Sequence, residues 1–378
     1  MCRFIQLHLL TSYPPSNLNR DDLGRPKTAR MGGFERLRIS SQSLKRAWRK
    51  SELFETALAG HIGVRTKKMG IEVFDTLQQK GIAEKNAKDW ALKIVEVFNG
   101  GKKKEKEENK KEKEKKKKKE KEPEPEPTIS SLETKQLVHF SPEEQAAVMQ
   151  LAETIAQRNS EPTKEELQLL REKHSAADIA LFGRMLAKTP IYNIEAAAQV
   201  AHAITVHEVA VEDDFFTAVD DLNSGEQNAG AAHLGETEFG AGLYYLYICI
   251  DRALLIENLQ NDEVLVNKTL AALVECAAKV APTGKQNSFA SRAYTSYLLA
   301  EKGNQQPRSL SVAFLKPVKV GSKDDSMLDK AIEALETTRK NMDKVYGNCA
   351  DKSIVMNANQ PKGSLDRILK FIYSISDK

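Results

Sequence analysis

The sequence predicts an α+β fold in which strands from both ends of the chain build one sheet and helical segments are inserted between them. Three observations predict it. Residues 4–13 and 239–250 are long apolar runs rich in β-branched and aromatic side chains, as expected for strands of a covered sheet. Between them lie segments with 3.6-residue apolar periodicity and recognisable helix caps. Just before the second run, two strand-like stretches flank a tip rich in Asn, Ser and Gly, the pattern of an extended ribbon. Strands from both ends with helices between describe an α+β domain split by insertions.

Residues 4–13, FIQLHLLTSY, open the chain as a strand, with His8 expected as a packed core histidine. Residues 14–33, PPSNLNRDDLGRPKTARMGG, carry enough Pro, Asn and Gly to predict an irregular loop throughout. Loops of that length in compact regions are usually functional or disordered. This one bears Arg20, Arg25, Lys27 and Arg30 beside Asp21 and Asp22. The aspartates have the chemistry to bind a divalent metal or to act as acid and base. With Arg20 adjacent and no further carboxylate close in sequence, a salt-bridged loop is the expectation.

Residues 37–50, LRISSQSLKRAWRK, are the most informative stretch. Leu37 and Ile39 alternate with Arg38 and Ser40 as on a strand with one face buried, and a serine turn then leads into a helix. Ser41 or Ser43 is expected to cap that helix, and Leu44, Ala47 and Trp48 fall on one face. Lys45 and Arg49 stack one turn apart with Arg46 and Lys50 beside them. Four cations so close repel one another unless an anion compensates. With the free N–H groups of the helix start, Ser40, Gln42 and these cations can hold a phosphate backbone. The plain alternative is a solvated basic face over a Leu44/Trp48 core.

Helical signals then dominate. Residues 86–98 place Trp90, Ile94, Val97 and Phe98 on one face before Asn99-Gly100-Gly101. Residues 102–126 hold thirteen Lys and nine Glu. That balance equals the net charge of the whole chain, +4, so global charge is silent about nucleic acid and only local clusters inform. With no apolar side chain to bury, residues 102–127 are expected as a disordered or solvated insertion. Ser141-Pro142-Glu143-Glu144 makes a capping box with proline at the first helical position, ahead of Val148, Leu151 and Ile155. Thr163 with Glu166 repeats the signal for another helix through Leu167 and Leu170.

Gly183, Arg184 and Met185 are expected at a helix end or turn. Residues 206–239 read as strand, tip and strand, with Phe215, Phe216 and Leu234 on a projection that has little core of its own. Apolar side chains beside a phosphate track suggest wedges that unstack bases, unless the ribbon folds back onto the body. A helix is expected over 268–281 and a short strand over 309–314. Two closing helices are expected over 326–346 and 364–373. Thr283-Gly284-Lys285 lacks the earlier glycine of a phosphate-binding loop and is followed by Gln286, so it is not one. The four cysteines, Cys2, Cys249, Cys276 and Cys349, have no close spacing that would suggest a disulfide framework or thiolate zinc site. No secretion signal and no apolar stretch of membrane-spanning length is apparent, so a cytoplasmic protein with no membrane partner is expected.

Several of these stretches occur together, in order, in one known family. SNLNRDD at 16–22, Gly32-Gly33, RISSQSLKRA at 38–47, GRM at 183–185, FTAVDDL at 216–222 and AHLG at 232–235 with Glu238-Phe239 after it resemble the CasC family. That family is the backbone subunit of the type I-E CRISPR surveillance complex, Cascade. The resemblance runs from the start of the chain to about residue 251, and the Lys/Glu-rich insertion departs from the family pattern.

The resemblance implies a palm like the RNA-recognition-motif (ferredoxin-like) fold over 1–58 and 239–378, a helical fingers domain over 59–190 and a β-ribbon thumb over 191–238. It implies RNA-binding roles for Arg20, Lys27, Ser40, Gln42, Lys45, Arg49, Arg184 and Met185, with Phe216, Thr217 and Leu234 kinking the RNA. Its implied partners are crRNA, target DNA through guide pairing, further copies of the chain and other Cascade subunits. No catalytic group, metal or cofactor is expected. The alternatives are an RNA-cleaving CRISPR backbone protein using Asp21 or Asp22, and a general RNA-binding module.

Overall fold

The computed structural model describes residues 2–99, 129–171, 174–186, 189–218, 233–321 and 326–373. The Lys/Glu-rich insertion at 102–127, the ribbon tip at 223–230 and the side chain of Leu234 lie outside the described residues. The chain forms two compact units. One comprises Met1–Ala57, Ala198–Leu254 and Asn267–Lys378, and the other Leu58–Ala197 and Leu255–Val266.

The first unit is built on a nine-stranded sheet. Its strands are β1 (Phe4–Ser16), β2 (Thr28–Met31), β3 (Phe34–Ile39), β6 (Ala198–Val200), β7 (Ala203–Thr205), β8 (Glu212–Ala218), β9 (His233–Asp251), β10 (Tyr297–Gly303) and β11 (Lys352–Asn357). The order is β11-β10-β1-β9-β7-β3-β2, with β6 and β8 also pairing to β9, and the pairings are antiparallel. In β1 the residues from Ile5 to Thr11 are all buried, which requires cover on both faces. One face meets Leu10, Tyr245, Tyr297, Leu299 and Phe314 packed with Ala331 and Leu335. The last two belong to the helix Met327–Tyr346, which is capped by Ser326.

Within this core sits a polar network. His8 is closed to solvent, its Nδ1 is 2.8 Å from Tyr245 Oη and its Nε2 is 3.3 Å from Glu301 Oε2. Arg308 donates to both oxygens of Glu301, at 2.5 and 3.2 Å. Buried charge demands such pairing.

Two expectations are corrected here. The 14–33 stretch is not irregular throughout: β2 and β3 form a hairpin whose two-residue turn is Gly32-Gly33, both at positive φ (62° and 89°), as a type I′ turn needs. A Cβ on Gly32 would sit 1.8 Å from the Leu315 carbonyl oxygen, so the turn also needs glycine for space. Residues 309–314 make no strand; Ser311–Phe314 is a 3-10 turn, anchored by Leu310 N donating to Tyr245 Oη at 3.1 Å. Arg36, fully buried, donates from Nη2 to the Phe314 carbonyl at 2.9 Å and from Nη1 to the Thr205 carbonyl at 3.0 Å.

The second unit packs the helices Met69–Gln79, Glu84–Phe98 and Pro142–Arg158 around Val73, Leu77, Trp90, Ile94, Val148, Leu151 and Ile155. A two-stranded sheet joins β4 (Val64–Thr66) to β5 (Val138–Phe140). The capping box forms: Glu144 N donates to Ser141 Oγ at 3.2 Å and Ser141 N to Glu144 Oε2 at 2.9 Å. The same reciprocal bonds close at Thr163 and Glu166, at 2.8 and 3.3 Å, yet only a turn results, contrary to the expected helix. Leu169 and Leu170, which follow outside any helix or strand, are buried in the helical core. Among the described residues no helix is long and apolar enough to cross a membrane.

Candidate nucleic-acid interface

The basic corner is where β3 gives way to the helix Ser41–Arg49. Ser40, rather than Ser41 or Ser43, is its cap: Ser43 N donates to Ser40 Oγ at 3.3 Å. The cap is fixed from behind, because Ser40 N donates to Asn19 Oδ1 at 2.8 Å. Asn19 also accepts Lys27 N on its carbonyl at 2.8 Å, and the Lys27 carbonyl accepts Arg38 N at 2.7 Å. One asparagine thus ties the loop to the helix start and sets Lys27 beside Arg38. Arg20 is exposed and its backbone bridges to Pro26.

The helix buries Leu44 and Trp48 and leaves Gln42 exposed, with Lys45 and Arg49 half-buried. Burial pushes the Lys45 ammonium below the ordinary lysine range, since desolvation disfavours the charged form. Lys50 points its charge at Glu55, 2.7 Å away. In the loop, Asp21 Oδ1 accepts Leu23 N and Arg25 N, both at 2.9 Å, so that carboxylate closes a turn. The salt bridge of this loop is Arg25 with Glu238 at 3.0 Å. Asp22 is exposed. Among the described residues no three His, Cys, Asp or Glu side chains group to hold a metal ion.

The ribbon rises from the same unit. β8 pairs with β9 from Glu212↔Phe239 to Ala218↔His233, and its base is fastened to the loop, since Asn17 Nδ2 donates to the Gly24 and Glu238 carbonyls at 2.9 Å each. Phe215 is 62% exposed and Phe216 44%. Phe216 stands opposite Gly235, and a Cβ on Gly235 would lie 2.4 Å from Phe216 Cζ. The ring therefore lies across the glycine, where no side chain lifts it. Thr217, exposed, pairs with the backbone of Leu234.

Arg184 and Met185 belong to the helical unit. Gly183, at φ 78°, ends the helix Ala177–Phe182. The Arg184 guanidinium is turned inward and spends all its donors there. Nη1 reaches Glu144 Oε2 at 2.6 Å and the His139 carbonyl at 3.3 Å. Nη2 reaches the Arg171 and Tyr192 carbonyls at 3.1 Å each, and Nε the Tyr192 carbonyl at 3.3 Å. Arg184 does not present its charge to a ligand, as a direct RNA contact requires; it braces the chain. Met185 is 77% exposed between two anchored neighbours, for Arg184 exchanges backbone bonds with Ile194 and Leu186 N donates to Asn193 Oδ1 at 2.6 Å.

The sequence profile of the CT1975-like protein family matches residues 5–370. The chain belongs to that family. A chain of a solved "CRISPR RNA-guided surveillance complex, pre-nicking" is similar to it at 27% identity and a TM-score of 0.79, over 98% of this chain and 99% of that one. A chain of a "CRISPR RNA-guided surveillance complex" is 23% identical with a TM-score of 0.67, over 97% and 99%, a likeness of fold. No curated protein matches it.

In this CT1975-like chain the structure gathers Lys27 and Ser40 around Asn19, with Arg20 on the same loop and Gln42, Lys45 and Arg49 on the helix that Ser40 caps. Phe216 and Thr217 stand on the ribbon whose base is fastened to that loop, and Arg184 and Met185 are in the helical unit. Residues that sequence reasoning passed over are Asn19, the hub of the corner, and His202, whose Nδ1 accepts Ser41 N at 3.0 Å. Arg38 was visible only as the outward residue of a strand. Nothing local in the sequence marks Asn19 or His202, because their partners lie 21 and 161 residues away.

Proposed function

We propose that this CT1975-like chain is a subunit of a CRISPR RNA-guided surveillance complex, and within it the guide-RNA-binding backbone subunit of a type I-E assembly. The observation that carries this reading is the corner itself. Asn19 holds Lys27, Arg38 and the capped start of a basic helix together, and phosphate recognition needs such fixed cations and backbone donors. Lys45 and Arg49 extend the grip along the helix. The exposed Phe215 and Phe216 supply apolar surface to interrupt base stacking. In the helical unit, the exposed Met185 is a further RNA contact in this reading. Likeness to a surveillance-complex chain over nearly the full length of both supports the assignment.

In this reading the first unit is the RNA-recognition-motif-like palm, the helical unit the fingers, and the β8–β9 ribbon the thumb. Copies line up along one crRNA in the cytoplasm beside other Cascade subunits, and target DNA is recognised by pairing with the guide. In this reading the subunit holds its guide without cutting nucleic acid: Asp21 Oδ1 is committed to its own loop, which leaves the exposed Asp22 as the aspartate a cleavage assay must test.

The experiment is co-expression with a CRISPR transcript and the partner subunits, followed by sizing and sequencing of bound RNA. A large particle with one uniform guide, lost in the Lys45→Ala/Arg49→Ala double variant, is the expected result. A free monomer, or unselected RNA, overturns it. Incubating the particle with complementary RNA and magnesium is expected to leave that RNA whole, whereas regular cuts abolished by Asp22→Ala would make the subunit a nuclease.

A further inference from the structure

His202 stands just before β7, exposed to solvent. Its Nδ1 lies 3.0 Å from Ser41 N, and Arg38 Nη1 is 3.5 Å from the same atom. A backbone N–H and a guanidinium N–H can only donate, so Nδ1 is the acceptor and the ring proton sits on Nε2. The bond to Ser41 therefore does for this ring what a second partner does for a metal-bound histidine: it fixes the tautomer and aims the other nitrogen.

The charges that act on the ring are of one sign. Lys27, just before β2, and Arg38, on β3, are cations, and the helix Ser41–Arg49 contributes its positive end. Burial, then Arg38 and Lys27, push the imidazole below the ordinary histidine range. The ring stays neutral beside two cations, with its free donor on the edge away from Ser41.

We infer that His202 is a further phosphate contact of the corner, a neutral directional donor beside Arg38 and in the field of Lys27. This rests on the RNA-binding reading above. The two cations attract a phosphate over a distance, and the imidazole N–H adds direction without adding a third like charge to the cluster.

The test is binding of the full-length chain to a single-stranded oligoribonucleotide, titrated over salt at pH 6.5 and pH 8. His202→Ala is expected to weaken binding about tenfold, the worth of one hydrogen bond to a charged group, equally at both pH values and with an unchanged salt slope. Lys27→Ala is expected to lower the slope by about 0.7, as for one phosphate contact on a single strand. His202→Asn keeps an acceptor for Ser41 N–H but is too short to carry a donor to the far edge of the ring, so it shares the loss. Unchanged affinity in His202→Ala, rescue by His202→Asn, or a loss that depends on pH and lowers the slope would each overturn the inference. A wild-type chain that binds RNA without salt dependence would instead overturn the function itself.

Discussion

Arg184 Nη1 donates to Glu144 Oε2 across 2.6 Å, and the two side chains are 1% and 0% exposed. Glu144 serves three segments at once, since it also closes the capping box with Ser141 and accepts Arg171 N at 2.9 Å. Glu144→Ala would leave a buried guanidinium without its carboxylate, which costs about 3–5 kcal/mol. The chain has two tryptophans, Trp48 in the first unit and Trp90 in the helical one. In a Trp48→Phe background, the denaturant midpoint followed by Trp90 fluorescence should therefore fall sharply on Glu144→Ala. An unchanged midpoint would refute the bracing role of the pair.

The helix Ser41–Arg49 makes a quantitative claim about salt. If Lys45 and Arg49 each neutralise one phosphate of a single strand, the double alanine variant should lower the slope of log affinity against log salt by about 1.4. Affinity should fall by a similar factor for unrelated RNA sequences, because backbone contacts carry no sequence information. A loss confined to one sequence would point to base contacts instead.

The network in the sheet core predicts acid sensitivity. Burial holds the His8 pKa below its ordinary value, and Arg308 and Arg339 add to the effect, against Glu301. For Glu301, burial acts upward, but the bonds from His8 and Arg308 outweigh it and bring the carboxyl to about 2. Both pKa values are lower in the folded than in the unfolded chain, so the unfolded chain binds more protons and stability drops as pH falls. The His8 contribution is complete above about pH 6.5 and declines below it, whereas that of Glu301 is complete above about pH 4.5 and is lost towards pH 2. Between pH 7 and pH 5, stability should decline with a slope of up to about 1.4 kcal/mol per pH unit from His8. His8→Gln should remove that share and leave the contributions of His174 and His202, whose pKa values are also lowered, chiefly by burial.

At the ribbon, Gly235→Ala is a conservative way to move Phe216. A methyl 2.4 Å from the ring carbon must lift the ring off the strand. RNA affinity should stay within about twofold, given that no phosphate contact changes, while the fluorescence of 2-aminopurine placed along the guide should report altered stacking. Phe216→Ala should abolish the unstacking signal. If neither variant alters that signal, Phe216 is not the wedge.

Much of the frame was legible where the signals are local. The capping box at Ser141, the end of a helix at Gly183 and the strand-to-helix corner each depend on residues within a few positions of one another. The failures share one cause, distance along the chain. The cap at the corner falls on Ser40 because Asn19, 21 residues earlier, takes its backbone N–H. The RNA-binding role of Arg184 came from the resemblance alone, and nothing near it in sequence announces its ion pair, because Glu144 is 40 residues away. β10 was passed over: its buried pattern includes Glu301 and Lys302, and the Arg308 that closes on Glu301 lies outside the strand. The Thr163 box formed its bonds and still made no helix; Leu169 and Leu170 reach the helical core from irregular chain.

β9 is one strand of 19 residues, about 63 Å at strand rise. Its first part is an arm of the ribbon and its last part pairs with β1 from Gly240 to Asp251. Gly240 and Gly242 sit where one role passes into the other, and a Cβ on them would lie 2.8 Å from Leu37 Cδ1 and 2.5 Å from Thr205 Cγ2. No hinge or loop separates the two parts, so the residues that point into the core dictate the parity of those on the ribbon. Losing one residue between Thr237 and Leu243 would turn one part inside out relative to the other. Evolution is thereby left a narrow freedom: the outer end of the ribbon can lengthen or shorten to suit a new partner, but its root is inherited with the core or not at all.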